Sequence, residues 1–233
     1  ESVGRAYVQA GITRRGRVHC VRSGMDLTRF EAPQLPGDWR ELLGVPRGNA
    51  RPMVALMMAA FEPRKRHVAF LQAFARVAKS MPDLKLLLAG RGPEEARVRA
   101  AVRDLGLDDK VVFCGHRPDP EALFALADLS ILTSEREGLP RVAVQSIAAG
   151  CPMLVQDLPG LDEVVQHRDN GWISDPTDMD ATVRQMCRLL KDPMQLARLR
   201  RGARAADLSD WALDALGART TALYGLPVRR PVP

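Results

Sequence analysis

Short, uninterrupted apolar runs recur along this chain, and each is followed by a segment with helical spacing. That alternation restricts the fold more than any other feature. Met53–Met58 reads MVALMM, Leu84–Ala89 LKLLLA and Lys110–Cys114 KVVFC; Leu129–Thr133 and Pro152–Val155 follow. Runs this apolar, without polar alternation, belong to strands covered on both faces. Between the first two, Val68, Leu71, Phe74, Val77 and Met81 repeat at intervals of three and four, which predicts a helix over 66–80. Pro93 opens a second helix with Glu94 and Glu95 in its first turn, where the helix dipole favours acids. Further helices are expected at about 121–127, 139–149, 160–167, 178–191, 193–206 and 209–223. Strands alternating with helices make parallel βαβ units. The predicted fold is therefore α/β, a doubly wound parallel sheet of the Rossmann-like kind.

That domain should occupy 51–208. Residues 1–50 differ: a short strand at Arg17–Val21 precedes the turn-rich Ser23–Pro36, so this segment reads as an approach to the domain carrying a first strand and a loop. Residues 209–233 read as a C-terminal helix and tail. Trp211, Leu213, Leu216 and Leu223 give the helix an apolar stripe.

Composition narrows the class. With 46% hydrophobic and 27% charged residues in 233, the chain has globular proportions. The longest apolar runs are under ten residues, too short to span a bilayer, and no secretory signal is recognised. The four cysteines, Cys20, Cys114, Cys151 and Cys187, are far apart and form no C-x-x-C pair, which argues against a zinc site or a disulfide framework and for a reducing, cytoplasmic setting. No metal site is expected. Net charge is +6, and 29 of the 34 basic residues are Arg. Either this is a coding bias or it is a basic surface for phosphates, nucleic acid or anionic lipid. Nucleic acid is set aside as a partner, because no aromatic–basic interleaving of the kind that stacks bases occurs. The chain starts at Glu1 without Met, as expected of a piece cut from something longer.

In an open parallel sheet, ligands bind beyond the carboxyl ends of the strands. Three loops there carry chemistry. Thr133–Gly150 (TSEREGLPRVAVQSIAAG) runs from a strand end through an acidic loop into a helix, whose first amides and dipole favour an anion such as phosphate. Glu137 stands at the mouth of that site. It is suited to accept hydrogen bonds from hydroxyls, as on a sugar; the alternative is that it merely complements the dipole. Pro63-Arg64-Lys65-Arg66-His67 sets three cations at a strand end, either a diphosphate clamp or a solvated helix start. Gly90-Arg91-Gly92-Pro93 allows a tight turn near a ligand but lacks G-x-G-x-x-G spacing.

Taken in order, these segments resemble the donor-binding C-terminal domain of retaining glycosyltransferases of family 4, the group 1 transferases with the GT-B fold. Val18–Phe30 looks like the family's "v-i-x-N-G-v-D-x-x-x-F" segment, Phe61–Lys65 like "L-x-P-x-K", and Leu87–Pro93 like "i-x-G-x-G-P". Val111–Gly115 is similar to "V-x-F-x-G", Glu137–Gly150 to "E-G-x-P-x-x-x-x-E-A-M-A-x-G", and Gly171 to Pro176 to "G-x-l-x-x-P".

The resemblance implies a UDP- or GDP-sugar donor as substrate, with no cofactor. Lys65 would contact the diphosphate, with Arg64 beside it, and Glu137 would hold hydroxyls of the donor sugar. Backbone amides of Gly138 and Leu139, ahead of Pro140, would meet sugar or phosphate oxygens. The loop Gly115, His116, Arg117 would border the base. Lys65 and Glu137 are the expected catalytic residues. A missing N-terminal domain would bind the acceptor, and the C-terminal helix would either cross to it or pack in the core. Polysaccharide or glycolipid synthesis is the commonest setting, with a lipid-linked acceptor or peripheral attachment to the inner membrane face. Three departures stand out. The Arg expected before "L-x-P-x-K" is Ala60, for which Arg64 or Arg66 could substitute. The second Glu, which grips the ribose diol, is Gln145, and Ser23 replaces an Asn. The departures at Ala60 and Gln145 give weight to one alternative, a non-catalytic nucleotide-binding module; a GT-B-like nucleotide-sugar epimerase, which would share the fold and donor site, is the other.

Overall fold

Alternation in sequence becomes alternation in space. The computed structural model of the chain describes residues 2–138 and 140–225. In chain order its main elements are α1 (Ser2–Gln9), α2 (Trp39–Leu43), β1 (Met53–Met58), α3 (His67–Ala78), β2 (Leu84–Ala89), α4 (Glu95–Asp104) and β3 (Val111–Gly115). Then come α5 (Pro120–Leu126), β4 (Leu129–Leu132), α6 (Arg141–Ala148), β5 (Met153–Gln156), β6 (Gly171–Ser174), α7 (Met179–Lys191), α8 (Pro193–Ala205) and α9 (Leu213–Leu223). The strands form one sheet in the order β3-β2-β1-β4-β5-β6, and every pairing is parallel. This is the doubly wound Rossmann-like sheet expected from the sequence. The order reverses between β1 and β4, which puts the crevice of such folds at that seam.

Both faces of the sheet are covered. Along β1, Ala55 and Met57 join a core with Phe70, Phe74, Val98, Val183, Met186 and Leu199, while Val54 and Leu56 pack with Phe30, Leu43, Leu123, Phe124 and Leu126. Successive strand residues point to opposite faces. A strand between two apolar layers therefore loses its polar alternation, which is why MVALMM is continuous.

The chain divides into two compact units, Phe30–Ala206 and the combination of Glu1–Arg29 with Asp207–Pro233. Residues 30–50 thus go with the sheet unit, twenty-one residues ahead of the expected start at 51. Phe30 and Leu43, each at most 3% exposed, and the partly buried Trp39 close the face of β1 that α5 leaves open.

In the other unit, the strand expected at Arg17–Val21 is absent. Arg15–Arg17 is a 3₁₀ turn, and 18–24 runs without ladder pairing until a single bridge, Met25 to Ala212. Extended chain needs a neighbour's backbone to count as a strand, and here it follows a helix: a Cβ on Gly24 would lie 2.7 Å from Leu216 Cβ. The C-terminal helix is also shorter than expected. Ser209–Trp211 is a 3₁₀ turn, Ala212 is extended, and α9 starts only at Leu213. Trp211 is buried, whereas Leu213 and Leu223 are exposed.

Two further expectations are corrected. The helix expected at 160–167 is only a 3₁₀ turn over Leu161–Glu163, which ends where Val164 leaves helical geometry at φ −120°, ψ −45°. Gly171–Ser174 is a sixth strand that hydrophobic patterning missed; as an edge strand of four residues it has no continuous apolar run. Among the described residues no helix is long and apolar enough to cross a membrane.

Two of the buried polar groups in the sheet unit bear on its stability. At the amino end of β4, Asp128 accepts hydrogen bonds from the Val54 amide (2.8 Å), from Arg51 Nη2 (2.8 Å) and Nη1 (3.1 Å), and from Arg200 Nη2 (2.8 Å). One carboxylate thereby joins β1, β4 and α8. At the start of α3, His67 is 3% exposed, packs against Phe61 with ring centroids 4.8 Å apart, and has neither ring nitrogen hydrogen-bonded to a described residue. Burial, reinforced by the Lys65 charge, lowers its pKa to about 4. His67 is therefore a neutral core residue at pH 7.

Two outcomes are expected. Asp128→Ala should lower the unfolding free energy by about 2–3 kcal/mol, less than a fully buried pair would lose because both guanidinium groups keep contact with water. A urea titration should show a lower midpoint at unchanged slope; an unaltered midpoint would remove Asp128 from this role. For His67 the depressed pKa means that the unfolded chain binds a proton that the native state refuses. Stability should therefore fall as pH drops from 6.5 towards 4, by about 3 kcal/mol in total from this group. His67→Leu should flatten that part of the pH–stability curve while keeping stability at pH 7; an equally steep curve would contradict it.

Candidate functional site

The carboxyl ends of β1, β2 and β3 and the start of α6 enclose an open cleft of about 480 Å³. Its walls are Met58, Ala59 and Ala60 after β1, Ala89, Gly90 and Arg91 after β2, His116 after β3, and Val142 and Gln145 from α6. The volume is within the range of small-molecule sites. Two expected site residues, His116 and Gln145, stand on these walls, and so does Ala60. Among the described residues no carboxylate does.

The cleft is shaped by glycines that allow close backbone approach. A Cβ on Gly90, whose φ is +147°, would lie 2.1 Å from the carbonyl oxygen of Ala59, and one on Gly92 would lie 2.5 Å from that of Phe61. The Gly90 amide also donates to the Gly115 carbonyl (2.8 Å), and the Phe61 amide to that of Arg91 (3.1 Å). The loops after β1, β2 and β3 are thus stitched into one floor. Register slips by one residue at the end of β3, where Ala89 pairs with Gly115 and leaves Cys114 over. Burial pushes the Cys114 thiol up to about 12, so it is not a nucleophile near neutral pH.

Beside the cleft, at the β1–β4 seam, lies an ion cluster. Lys65 Nζ donates to Glu137 Oε1, and Arg64 Nη1 stands 3.3 Å from Glu137 Oε2 while its Nε donates to Glu62 (2.6 Å). The side chains of Lys65 and Glu137 are only 10% and 8% exposed. Backbone contacts hold the partners together: Thr133 Oγ1 donates to the Lys65 carbonyl (3.0 Å), and the Glu135 amide to that of Arg64 (2.8 Å). The structure thereby brings together Arg64, Lys65 and Glu137, which are about seventy residues apart in sequence.

Other expected residues are placed differently. Arg66 does not join the cluster. It adopts the left-handed region, with φ of +59°, and sends its guanidinium to Gln156 Oε1 (3.2 Å) and the Pro176 carbonyl (2.9 Å). Its side chain is committed to those two acceptors. Arg64, held by Glu62 and Glu137, does not line the cleft either. Arg117 hydrogen-bonds both Asp119 (2.8 and 2.7 Å) and Asp38 (2.9 and 3.3 Å), which raises its own pKa and depresses that of Asp38. Its side chain fixes the loop and leaves only backbone to border a ligand. Gly138 is exposed with open space around it, Pro140 is buried just before α6, and Leu139 is outside the described residues. Arg91 is the cleft residue whose side chain the sequence reading missed. The available signal was a cation held between two glycines at a strand's carboxyl end.

Comparison with known proteins gives this geometry a family. The chain matches the model for glycosyl transferases group 1 over residues 44–206. It is 34% identical over 139 residues to N-acetyl-alpha-D-glucosaminyl L-malate synthase of Bacillus anthracis, covering 60% of this chain and 36% of that protein. It is 29% identical over 210 residues to the GDP-mannose-dependent alpha-(1-6)-phosphatidylinositol monomannoside mannosyltransferase of Mycolicibacterium smegmatis, covering 86% and 54%. Among solved structures it superposes on Anabaena Alr3699/HepE in complex with UDP with a TM-score of 0.81 at 24% identity, over 95% of this chain and 61% of that one. The chain spans about half, or less, of the two curated relatives. These likenesses favour neither the epimerase nor the non-catalytic reading. The match covers most of the sheet unit, the cleft included, and the chain belongs to the glycosyl transferases group 1 family.

Proposed function

We propose that this chain binds a nucleotide-diphosphate sugar, UDP- or GDP-linked, and serves as the donor half of a family 4 glycosyltransferase. The sugar passes to an acceptor hydroxyl with retention, in polysaccharide or glycolipid synthesis. The observation that carries the reading is the cleft at the carboxyl ends of β1, β2 and β3 of a group 1 fold, with Gln145 on its wall and the Lys65–Glu137 pair beside it. The UDP complex of the Anabaena protein and the GDP-mannose dependence of the mycobacterial relative are consistent with either base.

Each residue has a chemical task in this reading. An ammonium group has three donors, so Lys65 can keep Glu137 and still reach a diphosphate oxygen. Glu137, steadied by two cations, retains acceptor sites for sugar hydroxyls. Gln145 takes a hydroxyl of the ribose, and the loop of Gly115, His116 and Arg117 borders the base through its backbone. The amides ahead of α6 and its dipole favour negative charge on the departing diphosphate. In retaining transfer the acceptor attacks the same face of the sugar, and the leaving diphosphate helps take the hydroxyl proton. Protein groups then contribute positioning and charge stabilisation. The acceptor-binding half is an N-terminal domain of the same protein, and the exposed Leu213 and Leu223 of α9 are suited to meet it. The working site is cytoplasmic, at the inner face of the membrane where the acceptor is a lipid.

Calorimetric titration of the chain with UDP and GDP tests the reading. Binding of at least one is expected, and no heat at millimolar concentrations of both would reject it. Gln145→Glu should tighten the bound nucleotide about fivefold, since an ionised acceptor makes the stronger hydrogen bond. Unchanged affinity would mean that position 145 does not touch the ribose.

A further inference from the structure

The proposed donor site has a cation that was not anticipated. The basic side chains expected around it are mostly committed: Lys65 and Arg64 to Glu137, Arg66 to Gln156 and Pro176, and Arg117 to Asp38 and Asp119. Arg91 is different. It lines the cleft, is exposed, and makes no ion pair with any described residue. The remaining walls are apolar or neutral apart from His116, and a site with one guanidinium and no carboxylate favours an anion.

The backbone of Arg91 is as constrained as its side chain is free. Gly90 and Gly92 on either side press against Ala59 and Phe61 so closely that neither could carry a Cβ, and the Arg91 carbonyl accepts from the Phe61 amide. The Cα of Arg91 is therefore fixed beside Ala60, a methyl-bearing wall where the family pattern has an arginine. A guanidinium presents paired donors matched to phosphate oxygens. We propose that Arg91 binds the diphosphate of the donor, supplying from the β2–α4 loop the cation that Ala60 does not. This assignment rests on the proposed nucleotide-sugar site.

The test is calorimetry of the chain and its Arg91→Ala and Arg91→Gln variants with UDP, GDP and the corresponding nucleosides, with circular dichroism to verify folding. The diphosphate that the unmodified chain binds should weaken roughly 10- to 100-fold in both variants, while nucleoside affinity stays the same. Arg91→Lys should restore part of the loss. If a folded variant binds the diphosphate as tightly as the unmodified chain, Arg91 is not a phosphate ligand, and the proposed function survives. Equal losses for diphosphate and nucleoside would show a change in cleft shape and also overturn the assignment. An unmodified chain that binds neither nucleotide overturns the proposed function and this assignment together.

Discussion

The hydrogen-bonded pairing of β1 with β4 is the contact from which the rest of the molecule takes its arrangement. In the sheet order β3-β2-β1-β4-β5-β6 it is the one place where the winding changes direction. Helices leave to opposite sides there, so the carboxyl ends of the two strands open a gap that no helix fills. The loops after β1 and β4 meet across it through Lys65, Thr133, Glu135 and Glu137. Cleft, ion cluster and family likeness all lie around that seam.

The two ends of the seam differ in chemistry. At the amino end the carboxylate of Asp128 is saturated by an amide and two arginines, an arrangement that holds strands together and offers nothing to a ligand. At the carboxyl end the polar groups are incompletely satisfied. Arg91 is unpaired among the described residues, and Lys65 retains donors beyond Glu137. Groups left short of partners at the mouth of a crevice are what a ligand can complete, whereas the same shortage in the core, as at His67, only costs stability.

Much of this was legible in the sequence because the physical signals were local. MVALMM and LKLLLA gave β1 and β2 with their observed bounds, since a strand covered on both faces must be apolar throughout. The spacing of Val68, Leu71, Phe74 and Val77 likewise marked α3. Motif order alone singles out Glu137, Lys65 and Gln145 as candidates. What stayed hidden depended on distant partners. Arg66 and Arg64 look alike in PRKR, and only the left-handed turn at Arg66 separates them. Arg117 gave no sign that Asp38, 79 residues away, would occupy it. For Arg91 the flanking glycines are visible in the sequence, but their close approach to the loop after β1 is not.

Asp128 also bears on the order in which the molecule can be assembled. Its two arginine partners lie 77 residues before it and 72 residues after it. On a chain emerging amino-terminus first, Arg51 and the Val54 amide precede Asp128, so three of its four hydrogen bonds come from residues already made, and the fourth, from Arg200, lies beyond β5, β6 and α7. Closing that last contact requires joining a long loop, whose entropic cost the packing of α8 must offset. α8 thus carries the last of the groups that close on Asp128, the carboxylate that ties β1, β4 and α8 together.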